Sequence, residues 1–302
     1  MYKEKLAIIV PTKDRQDELL RLLASVLRQE YKPFQIVIVD GGNSPVENAL
    51  KSYSGLNIDY VRKVPPSLTA QRNAGIAALD GGVTLTAFLD DDIVLEDGSL
   101  EKMMRFWEEA DPGVGGASFN LVNEIYEKPS LIEKFFMVKA DEPNAILRSG
   151  FQGKVACVDR TIPAQWMVGC AMVFRKNIFG EFSFDERFSG YARYEDVDFS
   201  YSVSKRYKMY VVADAKVRHL NRLEDVNFSF PLGRMEVLNR LYFVRKHKDL
   251  SVPLCYWALF GILLNNIAKG LLKPDRRYFN RARGNVAGFV VSVLDHDVLN
   301  KG

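Results

Sequence analysis

Asp90-Asp91-Asp92 stands directly after the apolar stretch Leu85-Thr86-Ala87-Phe88-Leu89. Three carboxylates crowded at the end of a buried strand repel one another, and a cation among them relieves that repulsion. Hard oxygen donors at this spacing suit Mg²⁺ or Mn²⁺, ions that commonly carry substrate phosphates in enzymes. A solvated turn capping a helix that starts near Asp97 accounts for the same residues. Further on, Glu195-Asp196 opens a helical stretch. Acids there either complement the helix dipole or act as a general base on an attacking hydroxyl. His219 alone reads as structural; beside a carboxylate-bound ion its neutral imidazole becomes a third ligand, one that suits Mn²⁺ better than Mg²⁺. Arg72 offers a planar fork for a phosphate or a base, or is an ordinary helical arginine. Asp40 closes a second aliphatic run and either accepts from a base N–H or ribose hydroxyl or makes local turn bonds.

The elements around these residues follow one pattern. Residues 6–10, 36–39, 57–61 and 85–89 read as strands, the aliphatic ones buried on both faces. Between them, 14–29 has helical spacing, with Leu19, Leu22, Leu23, Val26 and Leu27 on one face. A polar helix runs to about Tyr53, and Ser67 or Thr69 caps a helix to Leu79, in which Gly75 allows close approach to the sheet. Strand–helix alternation predicts an α/β fold with a parallel sheet and right-handed crossovers. Ligands bind such sheets at the carboxyl ends of the strands. That edge collects Thr12-Lys13-Asp14-Arg15, Asp40-Gly41-Gly42-Asn43 and the Asp run into one expected site. Beyond Pro112 the reading is strands over 114–122, 166–174 and 209–213, an irregular region over 123–160 and a helix from Glu195 to about Arg206.

Taken in order, Ile8-Ile9-Val10-Pro11-Thr12-Lys13-Asp14-Arg15, Val37-Ile38-Val39-Asp40-Gly41-Gly42, Ala70-Gln71-Arg72-Asn73-Ala74-Gly75, Phe88-Leu89-Asp90-Asp91-Asp92, Phe184-Asp185-Glu186-Arg187-Phe188, Tyr194-Glu195-Asp196-Val197-Asp198-Phe199 and His219 resemble glycosyltransferase family 2 over residues 5–222. The resemblance implies a GT-A fold, a mostly parallel sheet flanked by helices, and an inverting, nonprocessive transferase. It implies a nucleotide-sugar pocket of Pro11, Thr12, Asp14, Arg15, Asp40 and Arg72. It also implies a DxD pair of Asp90 and Asp92, with Asp91 touching the nucleotide. Asp92, Asp90 and His219 would hold Mn²⁺ or Mg²⁺. Asp196 would be the catalytic base, with Glu195 as runner-up, and the segment holding Trp166 and Gly169 would face the acceptor. Two departures stand out: Lys13-Asp14 replaces the aromatic–Asn pair of many members, and no QxxRW-type motif follows Glu195-Asp196, which argues against a processive polymerase. Two other classes remain at this point. A nucleotidyltransferase normally has a glycine-rich phosphate loop after its first strand, and Pro11-Thr12-Lys13-Asp14-Arg15 has no glycine. The second is a nucleotide-sugar-binding protein without catalysis.

The expected division is 1–228 for the transferase domain (1–112 nucleotide-binding, 113–228 acceptor-binding) and 229–302 for a helical C-terminal extension. The expected donor is a nucleotide-diphosphate sugar, UDP first, then dTDP or GDP. The acceptor is a glycan or a lipid-linked group, and no nucleic acid is implied. Net charge is +3, but residues 231–302 hold 12 Lys/Arg against 5 Asp/Glu. This basic end suggests an anionic membrane surface. The apolar run 252–264 is too short to span, so a core helix or an interfacial segment is expected, with a homodimer interface as the competing use. Three widely spaced cysteines and an N-terminus without a leader pattern fit a cytoplasmic protein, peripheral on the inner membrane face.

Overall fold

The computed structural model describes residues 2–154, 156–220, 226–273 and 275–294. In chain order the strands are β1 (Leu6–Thr12), β2 (Gln35–Asp40), β3 (Ile58–Arg62), β4 (Leu85–Leu89), β5 (Ile93–Leu95), β6 (Val114–Leu121), β7 (Ile162–Pro163), β8 (Ala171–Arg175) and β9 (Lys208–His219). The helices are α1 (Gln16–Arg28), α2 (Glu47–Leu50), α3 (Leu68–Ala77), α4 (Ser99–Glu109), α5 (Leu131–Phe135), α6 (Glu195–Ser204), α7 (Ser229–Lys246), α8 (Val252–Leu272) and α9 (Arg276–Leu294). They form two compact units, one of residues 1–126 and 155–221, the other of 127–154 and 222–302.

The first unit is a mixed sheet of order β3-β2-β1-β4-β8-β6-β9-β5, with β7 beside β9. β1 to β4 are mutually parallel. β8 then runs antiparallel to both β4 and β6. The parallel half explains the unbroken aliphatic runs, because both faces are covered. Alternate residues of β1 feed opposite cores. Leu6, Ile8 and Val10 join Leu19, Leu22, Leu23 and Val26 of α1 and Met103 and Trp107 of α4. Ile9 joins Val37, Phe88, Phe184 and Phe199 on the other face. Burying each such side chain stabilises the fold by roughly 1.5–3 kcal/mol. Gly75 does what its sequence context suggests: a Cβ there would lie 2.4 Å from Ile9 Cγ2, so only a glycine lets α3 sit this close to β1.

Three local expectations change. The strand over 166–174 begins only at Ala171, because Met167 N–H donates to Ser200 Oγ (3.0 Å) and Gly169 N–H to Asp196 Oδ2 (2.8 Å) rather than into a ladder. The Asp run leads into β5, not directly into a helix; α4 starts at Ser99 after Gly98 in the left-handed region (φ 71°). Ser67 precedes α3 without a side-chain capping bond, and Thr69 Oγ1 donates instead to Phe188 O (2.9 Å).

In the second unit α9 packs on both α7 and α8. Gly233 and Gly284 let α7 and α9 backbones meet; a Cβ on Gly284 would lie 2.2 Å from Phe230 O. The apolar helix α8 is 21 residues long, not 13, and is long and apolar enough to cross a membrane by length and composition. Asn265-Asn266 does not end it, because Asn266 Nδ2 donates to Asn285 Oδ1 (2.9 Å) and the helix runs on to Leu272. Segment 127–154 belongs to this unit: Trp257 Nε1 donates to Phe135 O (2.9 Å), and the buried Arg240 donates to Gly150 O (2.7 Å). The far end of the expected extension, 295–302, lies outside the described residues.

Candidate active site

The carboxyl edge of the first unit's sheet assembles the acidic run from three directions. β4 ends at Leu89, and Asp90 N–H donates to Cys170 O (3.1 Å) while Asp90 O accepts from Ile93 N–H (3.1 Å), which turns the chain. Asp91 and Asp92 are buried. Arg15, just before α1, forks between them: Nη1 is 2.9 Å from Asp91 Oδ1 and Nη2 is 2.6 Å from Asp92 Oδ2. Thr12, the last residue of β1, donates from Oγ1 to Asp91 Oδ2 (2.8 Å). From the far side of the sheet His219 closes β9 and brings Nε2 within 3.1 Å of Asp92 Oδ1. Its backbone is pinned by reciprocal bonds with the Asn123 amide (2.8 and 3.0 Å), and Leu220 N–H donates to Asp92 O (2.9 Å).

Charge follows this geometry. Burial pushes the Asp91 carboxyl up to about 7, with the neighbouring acids adding to it and Arg15 and Thr12 opposing. Burial would raise Asp92 too, but the His219 and Arg15 contacts hold it below its usual value. His219, which burial alone would lower, is raised by Asp92. Asp90 is the most open of the three side chains, 31% exposed against 10% for Asp92.

Arg72 is the joint of the site. It lies on α3, 1% exposed, over the Phe184 ring (5.3 Å to the centroid). Nη1 donates to Glu195 Oε1 (2.9 Å), Nη2 donates to Gly169 O (2.9 Å) and is 3.4 Å from Asp90 Oδ1. The surface-arginine alternative is therefore excluded. Glu195 is buried in this pair; burial and then the Asp196 charge push its carboxyl up to about 8 against the pull of Arg72. Asp196, next along at the start of α6, is half-buried, and its Oδ2 accepts from Gly169 N–H. Gly169 must be a glycine, since a Cβ would fall 2.8 Å from Arg72 Nη2 and 3.0 Å from Asp196 Cβ. Trp166 is 5% exposed, set in the same segment.

Two of the residues expected at the nucleotide also hold loops of the protein together. Asp40 is fully buried and accepts from Gly42 N–H (2.7 Å), Val46 N–H (3.1 Å) and Tyr60 Oη (2.7 Å), with Arg62 Nη1 at 2.9 Å. Burial opposes its ionisation, yet these partners hold it below the ordinary carboxylate value. Asp14, exposed and at φ 53°, accepts from Asn43 N–H (2.7 Å) and ties the β1 loop to the β2 loop; Gly42 permits that approach. Pro11 is buried beside Val39 in the β1–β2 register. Sequence reading missed Gln71, whose Nε2 donates to both Thr12 O (3.0 Å) and Val39 O (2.8 Å) and staples the two strand ends. It also missed Asn73, which exchanges bonds with Phe184 (2.9 and 3.1 Å) and so fixes the aromatic loop. Both lie in the Gln71-Arg72-Asn73 motif, which was the available signal.

Among the described residues no three His, Cys, Asp or Glu donors form a ready cluster for a metal ion. The donor chemistry still fits a divalent cation. Asp92 Oδ1 and His219 Nε2 face one another across 3.1 Å, and this carboxylate oxygen has no other hydrogen-bond donor. An oxygen and an imidazole nitrogen make a pair suited to Mn²⁺.

Comparison with known proteins places this arrangement. Residues 7–180 match the model of Glycosyl transferase family 2. Poly(ribitol-phosphate) beta-N-acetylglucosaminyltransferase TarP of Staphylococcus aureus is 27% identical over 138 residues, 41% of this chain and 42% of that one. GalNAc(5)-diNAcBac-PP-undecaprenol beta-1,3-glucosyltransferase of Campylobacter jejuni is 26% identical over 192 residues, 62% of this chain and 56% of that one. The chain spans about a fifth of the length of other curated relatives, uncharacterised glycosyltransferases of Rickettsia (21% and 20%). In fold it is similar to mannosyltransferase PcManGT of Pyrobaculum calidifontis, solved with GDP-Man and Mn²⁺ (TM-score 0.60, 14% identity, 98% of this chain and 89% of that one). It is also similar to GalNAc-T7, solved with UDP, GalNAc and Mn²⁺ (TM-score 0.55, 14% identity, 85% and 55%).

Proposed function

Because this chain belongs to glycosyl transferase family 2 and has its GT-A fold, we propose that it moves a sugar from a nucleotide-diphosphate donor to an acceptor hydroxyl with inversion, one residue at a time. The observation that carries this reading is Arg72. One buried guanidinium reaches both Asp90 and the Glu195-Asp196 helix start, so the acidic run and a half-exposed carboxylate belong to one site.

Each residue then has a role that its surroundings support. Asp92 and His219, with the more open Asp90, would hold Mn²⁺ or Mg²⁺. The ion when bound supplies positive charge for the leaving diphosphate. Arg15 is a second cation at the same place, able to turn from the carboxylates to a donor phosphate. Thr12 and Asp91 lie where the nucleoside would rest. Asp196 accepts the proton of the attacking hydroxyl; Gly169 N–H orients its carboxylate, and Glu195, spent on Arg72, is a positioning residue. The acceptor approaches along the segment around Gly169. UDP is the first donor to try, then GDP and dTDP, with a glycan or lipid-linked hydroxyl as acceptor, reached from the cytoplasmic side.

The test is calorimetric titration of UDP, GDP and dTDP with and without Mn²⁺, on wild type and Asp92→Asn. Binding of one nucleotide that requires metal and fails in the variant is expected. A folded protein that binds none of them overturns the proposal, and so does a product that keeps the donor's anomeric configuration.

A further inference from the structure

α8 leaves one of its faces uncovered, and the exposed residues repeat with three–four spacing: Trp257, Phe260, Leu264, Ile267 and Leu271. That spacing puts them on a single stripe along about four turns. The opposite face is used, with Cys255, Leu259, Asn266 and Gly270 buried. The stripe widens at one end. Near its start, exposed Phe135 of α5 lies edge-on to Trp257 (5.2 Å between centroids), carrying exposed Leu131 and Ile132 with it. A continuous apolar surface of this kind on a folded unit marks a contact with something.

The charge around it says what. Residues 252–294 hold six Lys/Arg and a single acid, Asp275. Asp275 is already paired with Arg277 (2.7 Å), and Glu133 of α5 closes a capping box on Ser130. Lys273 and Arg276, just past the end of the stripe, are exposed. We propose that this face of the second unit lies in the plane of an anionic lipid bilayer, the α8 stripe at the acyl boundary and these cations on the headgroups. Apolar burial and headgroup attraction add in such a geometry, and long basic side chains reach outward from it. A second copy of the chain is disfavoured as occupant, since it would set one cationic face against another. Crossing the bilayer is disfavoured too, since α8 presents only a stripe and spends its other face on α9. The inference does not rest on the donor site.

The test is flotation of the full chain with phosphatidylcholine vesicles, with and without phosphatidylglycerol, at low and high salt. Binding should need the anionic lipid and weaken with salt. The surface variants Leu264→Gln/Ile267→Gln and Lys273→Gln/Arg276→Gln, checked for fold by circular dichroism, should each weaken it about tenfold or more. Absence of flotation at low salt overturns the proposal, as does equal binding to neutral vesicles or unchanged binding by folded variants. A soluble dimer that the stripe variant converts to monomer also overturns it, in favour of a second copy.

Discussion

β2 and β4 end alike in sequence, an aliphatic run followed by aspartate, yet their acids lead different lives. Asp40 is satisfied by its own turn and the adjoining strand: Gly42, Val46, Tyr60 and Arg62 all lie within 22 residues of it. The Asp90–Asp92 run draws its counter-charges from far along the chain, Arg15 77 residues before Asp92 and His219 well after it. The first acid is a joint that holds two strand ends in register. The second set is an excess of negative charge kept in check by side chains that can let go. Strand-end aspartates thus divide by who neutralises them: local backbone amides make structure, and distant cations leave room for a ligand.

Substitutions should break this comparison in opposite ways. The largest effect is expected from Asp196→Asn, which removes the proposed base; kcat should fall about 10²–10⁴-fold with the melting temperature and nucleotide affinity retained. Asp40→Asn should act on stability instead, costing about 1–3 kcal/mol as buried donors lose their acceptor, read by denaturant unfolding. Its pH dependence carries a sign. Asp40 has a depressed folded-state pKa, so its contribution is present above the ordinary carboxylate pKa and is lost as pH falls through the folded value; wild type and variant should converge at acid pH. Gly169→Ala should cost about 1–3 kcal/mol of overpacking between Arg72 and Asp196, appearing mainly as lowered kcat with donor binding little changed. The smallest effect should come from Arg15→Gln. With a competing cation gone, Mn²⁺ without nucleotide should bind more tightly, by about fivefold, while nucleotide affinity falls. If Asp92→Asn lowers stability as much as Asp40→Asn, the distinction between the two strand ends is wrong.

Much of the first unit was legible because its signals are local. The double-sided strands show as unbroken aliphatic runs, and residues 85–89 are matched to the residue. Gly75 announced close packing by lacking a side chain in a helix. Segment 166–170 was misread because Trp-Met-Val-Gly-Cys looks like a strand, while its backbone donors are claimed by α6, some 30 residues later. The burial of Arg72 was not legible, since its partner Glu195 is 123 residues away. Segment 127–154 has no periodicity because its order comes from α7 and α8, over 80 residues later. The apolar run 252–264 falls short of α8 because Asn265-Asn266 interrupts it; the partner that makes Asn266 welcome inside the second unit is on another helix.

The Arg15 fork has a consequence for how the protein lives with scarcity. Arg15 and His219 already balance the buried acids, so the chain should fold without the proposed metal ion, in contrast to small metal-nucleated domains. Chelation should then silence the protein while leaving its melting temperature in place. If the proposed ion ran short, a cell would keep an intact, idle stock rather than feed unfolded chains to its proteases, and activity would return as fast as the ion does.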